Sequence, residues 1–111
     1  MKQLLIILLI TFSIFTISFS SPAFAADTAN GAKIFSVECA GCHINGGNII
    51  RRGKTLKLKA LKRNGVDSLE KIAALVTNGK NIMSAYKDRL SEQQIQEVSA
   101  YVLEQAAKDW R

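Results

Sequence analysis

Apolar residues near the end of the chain recur every three or four positions, which is the spacing of one helix face. The stripe consists of Ile95, Val98, Val102 and Ala106. Ser91 and Gln94 lie three positions apart directly before it, as in a capping box, where each side chain bonds the other residue's backbone N–H. The pattern therefore predicts an amphipathic helix at the end of the chain.

Asp67 and Glu70 have the same spacing and predict the start of another amphipathic helix. Its apolar face carries Leu69, Ile72, Ala73 and Val76. Asn78 and Gly79 follow, and a glycine directly after the last periodic position commonly ends a helix. We therefore expect this helix to end at Asn78 and Gly79.

A further helix is predicted just after residue 26. Asp27 or Thr28 can cap it, and Gly31, Phe35 and Cys39 recur every four residues on one of its faces. Because Gly31 has no side chain, a second helix could approach closely at that position.

The segment between Ile44 and Leu56 has no regular apolar period. Residues 44–53 contain three glycines and predict an irregular loop, and residues 56–64 predict a short basic helix closed by Gly65. With no strand pattern and no repeat, the predicted fold class is all-α, about four short helices in one domain. Such helices with long connections cannot form a deep core alone, so we expect them to wrap around a bulky apolar ligand.

The first 25 residues have the order of a secretory signal peptide. A basic start with Lys2 precedes an almost wholly apolar run over residues 4–19, and Ala23 and Ala25 supply an A-x-A site. We expect cleavage after Ala25, which leaves residues 26–111 as an exported domain without membrane insertion, in a periplasm or a lumen. The alternative is a retained anchor, since a spanning helix needs about 20 residues. The proline directly before A-F-A favours cleavage.

Charge and size narrow the function classes. Loss of Lys2 with the signal peptide reduces the 15 lysines and arginines to 14, against 9 acidic residues, a net charge of +5. This balance suits an acidic protein partner, but it lacks the dense basic stripe and aromatic platforms that nucleic-acid binding requires. The 86 residues left from 111 bury only about 60% of their unfolded surface, so a staple or cofactor is expected.

Both cysteines and the only histidine fall within the run Cys39-Ala40-Gly41-Cys42-His43. Cys-x-x-Cys-His is the attachment signature of c-type haem. Two thiols three residues apart on a helical turn can each add to one vinyl group along a porphyrin edge, and the adjacent histidine then lies under the iron. We predict one covalently attached haem c, bound by Cys39 and Cys42, with His43 as an axial ligand.

Three other uses of this motif fit less well. A disulfide between the two cysteines would close a very small loop and stabilise the fold little. A thiol oxidoreductase motif would follow a strand in a βαβ unit, and no strand is predicted. A zinc ion would be one ligand short, because no carboxylate stands nearby at ligand spacing.

Met83 is the only methionine after the signal peptide and follows His43 by forty residues. A lone methionine is usually core filler, but this one lies outside the apolar stripes, in a polar loop with a glycine. As a sixth ligand its thioether would favour ferrous iron and raise the reduction potential. It would also close the iron to oxygen and peroxide, so we predict an electron carrier rather than an enzyme.

Short motifs spread over residues 26–111 resemble the cytochrome c6 family, the small class I c-type cytochromes of cyanobacterial and algal thylakoid lumens. The matching runs are NGAKIF (30–35), CAGCH (39–43), GGN (46–48), KTL (54–56), NGKN (78–81), Met83, RLS (89–91), VSAYVL (98–103) and Trp110. The resemblance implies a class I cytochrome c fold around one haem, with the first and last helices crossing near Gly31, Phe35 and Tyr101.

The same resemblance implies what the protein does. It assigns the thioethers to Cys39 and Cys42 and the iron to His43 and Met83. It also implies one-electron transfer between redox proteins, from the cytochrome b6f complex to photosystem I or to a terminal oxidase. We expect a monomer.

Two positions depart from the family pattern. Ser84 follows Met83 where the family usually has proline, and Leu75 stands where it usually has glutamine. An alkyl group in place of an amide changes hydrogen bonding and polarity beside the haem, and both affect the reduction potential. The pattern is closer to the divergent, lower-potential cytochromes grouped as c6B and c6C, so a different redox partner is an alternative.

Residues 51–63 include seven basic side chains, and no acid lies between Glu38 and Asp67. Most of these bases are expected to form a solvated face. By resemblance Lys54 is assigned to a haem propionate, Asn48 is a further candidate for the haem surroundings, and the other bases could dock an acidic partner. An alternative from another class is a haem sensor with a labile methionine ligand.

Overall fold

The structure, a computed structural model, describes residues 2–6 and 26–111. Residues 2–6 are helical, while the rest of the predicted signal peptide, including its cleavage site, lies outside the described residues. Within the described ranges, no helix combines the length and the apolar character that crossing a membrane requires.

The described chain after residue 26 is helical. The helices are α1 (Thr28–Glu38), α2 (Ala40–His43), α3 (Leu58–Arg63), α4 (Leu69–Asn78) and α5 (Glu92–Ala107), and 3-10 turns cover Ile44–Gly46 and Arg52–Lys54. Residues 26–111 contain no strand, only an isolated antiparallel bridge between Lys80 and Met83. The all-α prediction is confirmed.

The helix starts confirm two predicted caps. Asp27 caps α1, its Oδ1 accepting the N–H of Asn30 at 3.0 Å. At α5 the capping box is complete, because Ser91 Oγ accepts the N–H of Gln94 at 3.1 Å and Gln94 Oε1 accepts the N–H of Ser91 at 2.9 Å.

The predicted capping box at Asp67 and Glu70 is wrong by one residue. α4 begins at Leu69, so the capping residue is Ser68, whose Oγ accepts the N–H of Lys71 at 3.3 Å. Lys71 has no acceptor to offer in return, so the reciprocal bond of a capping box cannot form. The end of α4 at Asn78, with Gly79 as its cap, is as predicted.

The short basic helix starts two residues later than predicted. The N–H of Leu56 donates to Gly46 O at 2.8 Å, and Leu56 O accepts the indole N–H of Trp110 at 3.0 Å. Because both backbone groups of Leu56 are engaged outside the helix, α3 begins at Leu58. Gly65 follows α3 with a φ of 68°, the left-handed conformation of a helix end, as predicted.

Helices α1 and α5 cross in close contact. An ideal Cβ on Gly31 would lie 2.2 Å from the carbonyl oxygen of Glu97, so only glycine allows this approach. The rings of Phe35 and Tyr101 lie next to it with centroids 5.4 Å apart. The predicted crossing of the first and last helices near Gly31, Phe35 and Tyr101 is confirmed.

The apolar stripes of α4 and α5 form the core. The buried members are Ile72, Ala73, Val76, Ile95, Val98, Val102 and Ala106. Leu69 differs from the prediction because it opens α4 and is 36% exposed. Glu97 is buried at 3% exposure, but its two carboxylate oxygens accept amide hydrogen bonds from Asn30 (2.5 Å) and Gln93 (3.0 Å). These bonds offset the cost of burying a polar group.

Candidate functional site

A cavity of about 720 Å³ lies among α1, α2, α4 and the loop that follows α4. Its apolar walls consist of Phe35, Leu56, Leu61, Val66, Ile72, Leu75, Val76, Val98 and Val102. This volume lies within the range of cofactor sites. The helices therefore surround the large apolar space that their short lengths and long connections predicted.

The two cysteines border this cavity from the junction of α1 and α2. Cys39 ends α1 and precedes α2, and Cys42 lies on α2, so one helical turn brings both to the cavity. Both are free thiols. Burial, followed by the nearby Glu38 carboxylate, raises the pKa of Cys39 to about 11, so this group is a neutral thiol at pH 7. Thiol oxidoreductases need the opposite, a lowered pKa.

His43 is oriented by a backbone carbonyl. Its Nδ1 lies 2.8 Å from Gly47 O. Since a carbonyl only accepts, Nδ1 is the donor of this bond, and in the neutral imidazole Nε2 then keeps its lone pair, the arrangement of an oriented histidine ligand. The turn Ile44–Gly46 brings Gly47 back to the ring, helped by Asn45 at a φ of 52°. The sequence did not predict this bond, although the two adjacent glycines marked the turn.

Met83 reaches the same cavity from the loop after α4. Lys80 and Met83 exchange two backbone hydrogen bonds of 3.0 Å, which form a tight turn. Gly79 has a φ of 67°, and a Cβ there would lie 2.5 Å from Met83 O, so the turn folds closely over the end of α4. Met83 also packs against the buried core, a contact that the sequence pattern did not predict.

Leu75, Asn48 and Lys54 border the cavity as well. Asn48 stabilises its own loop: its Oδ1 accepts the N–H groups of Ile50 (2.9 Å) and Arg51 (2.7 Å), and its Nδ2 donates to Lys54 O at 3.1 Å. The Lys54 ammonium donates to Asn64 Oδ1 at 2.7 Å, which uses one of its three donors. Leu75 contributes an alkyl wall.

Trp110 supports the loop that follows the cysteine motif, a role that sequence reasoning missed. A Cβ on Gly46 would lie 2.4 Å from the indole ring, so the ring lies directly on the backbone. The ring centroid lies 5.2 Å from that of Phe35, and its N–H bonds Leu56 O. The available signal was weak, a lone tryptophan at the end of the chain.

These residues fit a covalently bound haem. Two free thiols at the attachment spacing, a histidine with a free Nε2 and a thioether all border one large apolar cavity. When bound, the haem supplies a one-electron ferric–ferrous couple. The crossed helices and this site define a class I c-type cytochrome.

Comparisons with known proteins narrow this class. The family model that matches residues 26–102 is described as cytochrome C oxidase, cbb3-type, subunit III. A cytochrome c6-like protein of Nostoc sp. strain PCC 7120 is 64% identical over 111 residues, 100% of both chains. The crystal structure of cytochrome c6C from Synechococcus sp. PCC 7002 has a TM-score of 0.71 at 60% identity, covering 73% of this chain and 99% of that chain. The crystal structure of cytochrome c6B from Synechococcus sp. WH8102 has a TM-score of 0.72 at 53% identity, covering 75% of this chain and 94% of that chain.

The chain belongs to the cytochrome c6 family of electron carriers, which carry covalently bound haem c. The resemblance stated from the sequence and the class I fold are confirmed. Its relatives include c6-like, c6B and c6C proteins, which confirms the divergent branch predicted from Leu75 and Ser84.

Proposed function

We propose that the protein is a one-electron carrier in which Cys39 and Cys42 form the thioethers and His43 and Met83 hold the iron. The observation that carries this proposal is the convergence of all four side chains on one apolar cavity. Two protein ligands on the iron leave no position for a substrate, so the protein transfers electrons without enzymatic activity of its own. The bond between His43 Nδ1 and Gly47 O supports the assignment, since it leaves Nε2 as the ring nitrogen available to the iron.

The functional domain in this proposal is residues 26–111, exported as a monomer to the thylakoid lumen or the periplasm. The A-x-A run that ends at Ala25 supports removal of the preceding segment. The mass of the native protein tests whether residues 1–25 are removed and whether the haem is attached. We expect the mass of residues 26–111 plus one haem. A mass that retains residues 1–25 would instead indicate a tethered carrier, and a haem-free mass would contradict attachment at the cysteines.

We further propose redox partners of the cytochrome c6 kind, with the cytochrome b6f complex as donor and photosystem I or a terminal oxidase as acceptor. The rim of the cavity supports contact with a protein, because the apolar side chains of Ile50 and Ile82 are 51% and 71% exposed there. A lower-potential carrier with another partner is the alternative, and Leu75 is the residue in the cavity that favours it.

Leu75→Gln is expected to raise the reduction potential by about 20–65 mV. An amide N–H directed at the cofactor stabilises the electron-richer ferrous state, and a hydrogen bond contributes about 0.5–1.5 kcal/mol. For one electron, a tenfold change in the equilibrium corresponds to about 59 mV. Potentiometric titration measures the shift, with Leu69→Gln at the exposed start of the same helix as the control. Equal potentials in all three proteins would contradict a role of Leu75 in setting the potential.

Changing Lys57, Lys59 and Lys62 to glutamate is expected to slow electron transfer to an acidic partner at low ionic strength. All three are exposed, and no ion pair of residues 26–111 involves them. Basic patches mainly raise encounter rates, and salt screens them. The rate of flash-induced donation to photosystem I across a salt series measures the effect.

A control with the same change in net charge separates a patch from overall charge. Lys33, Lys71 and Lys87 are exposed on α1, α4 and the loop after α4, and their change to glutamate should slow donation less. If the two triple variants and the unaltered protein share one salt dependence, residues 51–63 do not dock the partner.

A further inference from the structure

The loop that carries Met83 is attached mainly to the helix before it. Residues 79–90 contain no helix and no proline, so no pyrrolidine ring fixes a backbone angle there. Backbone bonds join the N–H of Gly79 to Leu75 O (2.7 Å) and the N–H of Tyr86 to Val76 O (2.9 Å). These bonds hold the loop on α4, but they do not determine how far it lies from the cysteine motif.

Two side chains of the loop bridge that distance, and both bond Glu38, the residue directly before Cys39. The hydroxyl of Tyr86 donates to Glu38 O at 2.9 Å, and Arg89 Nη2 lies 2.5 Å from Glu38 Oε2. Within residues 26–111, these are the hydrogen bonds that join this loop to α1. We call Glu38, Tyr86 and Arg89 the Glu38 clamp.

The three members of the Glu38 clamp also support one another. The guanidinium carbon of Arg89 lies 4.8 Å from the centroid of the Tyr86 ring, within the range of a cation–π contact. Glu38 is the last residue of α1, so its carbonyl has no partner within the helix and the tyrosine hydroxyl satisfies this terminal acceptor. The Glu38–Arg89 pair is partly exposed, at 21% and 55%, and contributes less than the half-buried tyrosine bond.

We propose that the Glu38 clamp positions Met83. It fixes Tyr86, three residues after Met83, to the residue directly before Cys39, and so holds the thioether at the iron against competing ligands. The inference rests on the proposed coordination by His43 and Met83. The clamp residues are positioning residues, since none of them supplies a donor atom to the iron.

Tyr86→Phe tests the clamp because it removes only the hydroxyl. Titration of the ferric holoprotein with imidazole, followed at the sulfur-to-iron band, measures how readily Met83 is displaced. We expect the affinity for imidazole to rise about two- to tenfold, the factor that one hydrogen bond contributes. Glu38→Gln removes the charge that pairs with Arg89 and should act in the same direction, by a smaller factor.

Matched controls separate positioning from general stability. Tyr101→Phe removes the other tyrosine hydroxyl, which lies on α5, and Glu104→Gln breaks the exposed Lys108–Glu104 pair of 3.0 Å. Both should leave the affinity for imidazole unchanged. Urea unfolding of all four variants measures how much stability each one loses. For a given loss of stability, the clamp variants should gain more affinity for imidazole than the control variants.

The outcomes distinguish the clamp from the coordination on which it rests. If the unaltered protein shows the sulfur-to-iron band and both clamp variants bind imidazole as it does, the clamp is overturned and the coordination stands. If the unaltered protein lacks the band, the assignment of Met83 fails, and the clamp fails with it.

Discussion

Replacing Met83 with alanine is expected to abolish the sulfur-to-ferric-iron band and to lower the reduction potential by on the order of 100 mV or more. The thioether favours ferrous iron, and axial ligands set haem potentials over a range of about 0.8 V. The variant also opens one coordination position, so its ferrous form should bind carbon monoxide rapidly. Absorption spectra of the ferric protein and of the ferrous protein under carbon monoxide measure the band and the ligand binding, and potentiometric titration measures the potential.

The control for Met83→Ala is Lys87→Ala, an exposed position four residues further along the same loop. It should retain the band, the potential and the exclusion of carbon monoxide. A band that survives in Met83→Ala would mean that another side chain occupies this coordination position. Rapid binding of carbon monoxide by the unaltered protein would favour the haem sensor instead.

Gly31→Ala is expected to lower the free energy of unfolding by about 1–3 kcal/mol, the usual cost of overpacking. The added Cβ would lie 2.2 Å from Glu97 O and 2.9 Å from the Cβ of Tyr101. Neither atom can move aside by a change of rotamer, so α1 and α5 must separate. Alanine is otherwise favoured over glycine inside a helix by about 1 kcal/mol. A decrease in the free energy of unfolding would therefore report the close contact between α1 and α5, and an increase would report its absence.

Gly53→Ala is the matched control, because a Cβ at Gly53 would meet no atom within 4 Å. Its effect should stay within about 0.5 kcal/mol, as for other surface substitutions. Urea unfolding of the holoprotein, followed by circular dichroism, gives both values. A Gly31→Ala variant as stable as the unaltered protein would contradict the close crossing of α1 and α5.

The sequence predicted the helices whose signals are local. The pair Ser91 and Gln94 and the apolar stripe after it lie on the helix that they define, and α5 is formed as expected. Gly79 marks the end of α4 for the same reason. Such local signals place the start of a helix only to within one turn. Asp67 and Ser68 can both cap a helix, and only the observed start at Leu69 shows that Ser68 is the cap.

Contacts between distant residues were outside the reach of sequence patterns. Leu56 was predicted to start the short basic helix, yet its backbone bonds Gly46 and Trp110, and Trp110 is 54 residues away. The hydrogen bond between Tyr86 and Glu38 spans 48 residues. The spacing of apolar residues along the chain does not predict such pairs, because they form only when the helices come together.

The candidate site followed from the sequence to a larger extent, because its chemistry is concentrated. The cysteine motif is contiguous, and Met83 is the only methionine in residues 26–111. The structure adds what a motif cannot contain, the orientation of His43 by Gly47 O and the core contact of Met83.

Potentiometric titration of the purified holoprotein, followed in its absorption spectrum, tests most directly the proposal of a one-electron carrier with His43 and Met83 as ligands. We predict a single reversible one-electron step and a sulfur-to-iron band in the ferric form. A potential near that of an ordinary cytochrome c6 would favour photosystem I as acceptor, and a clearly lower one would favour another partner. A ferric spectrum without the sulfur band would contradict the Met83 ligand and the simple carrier.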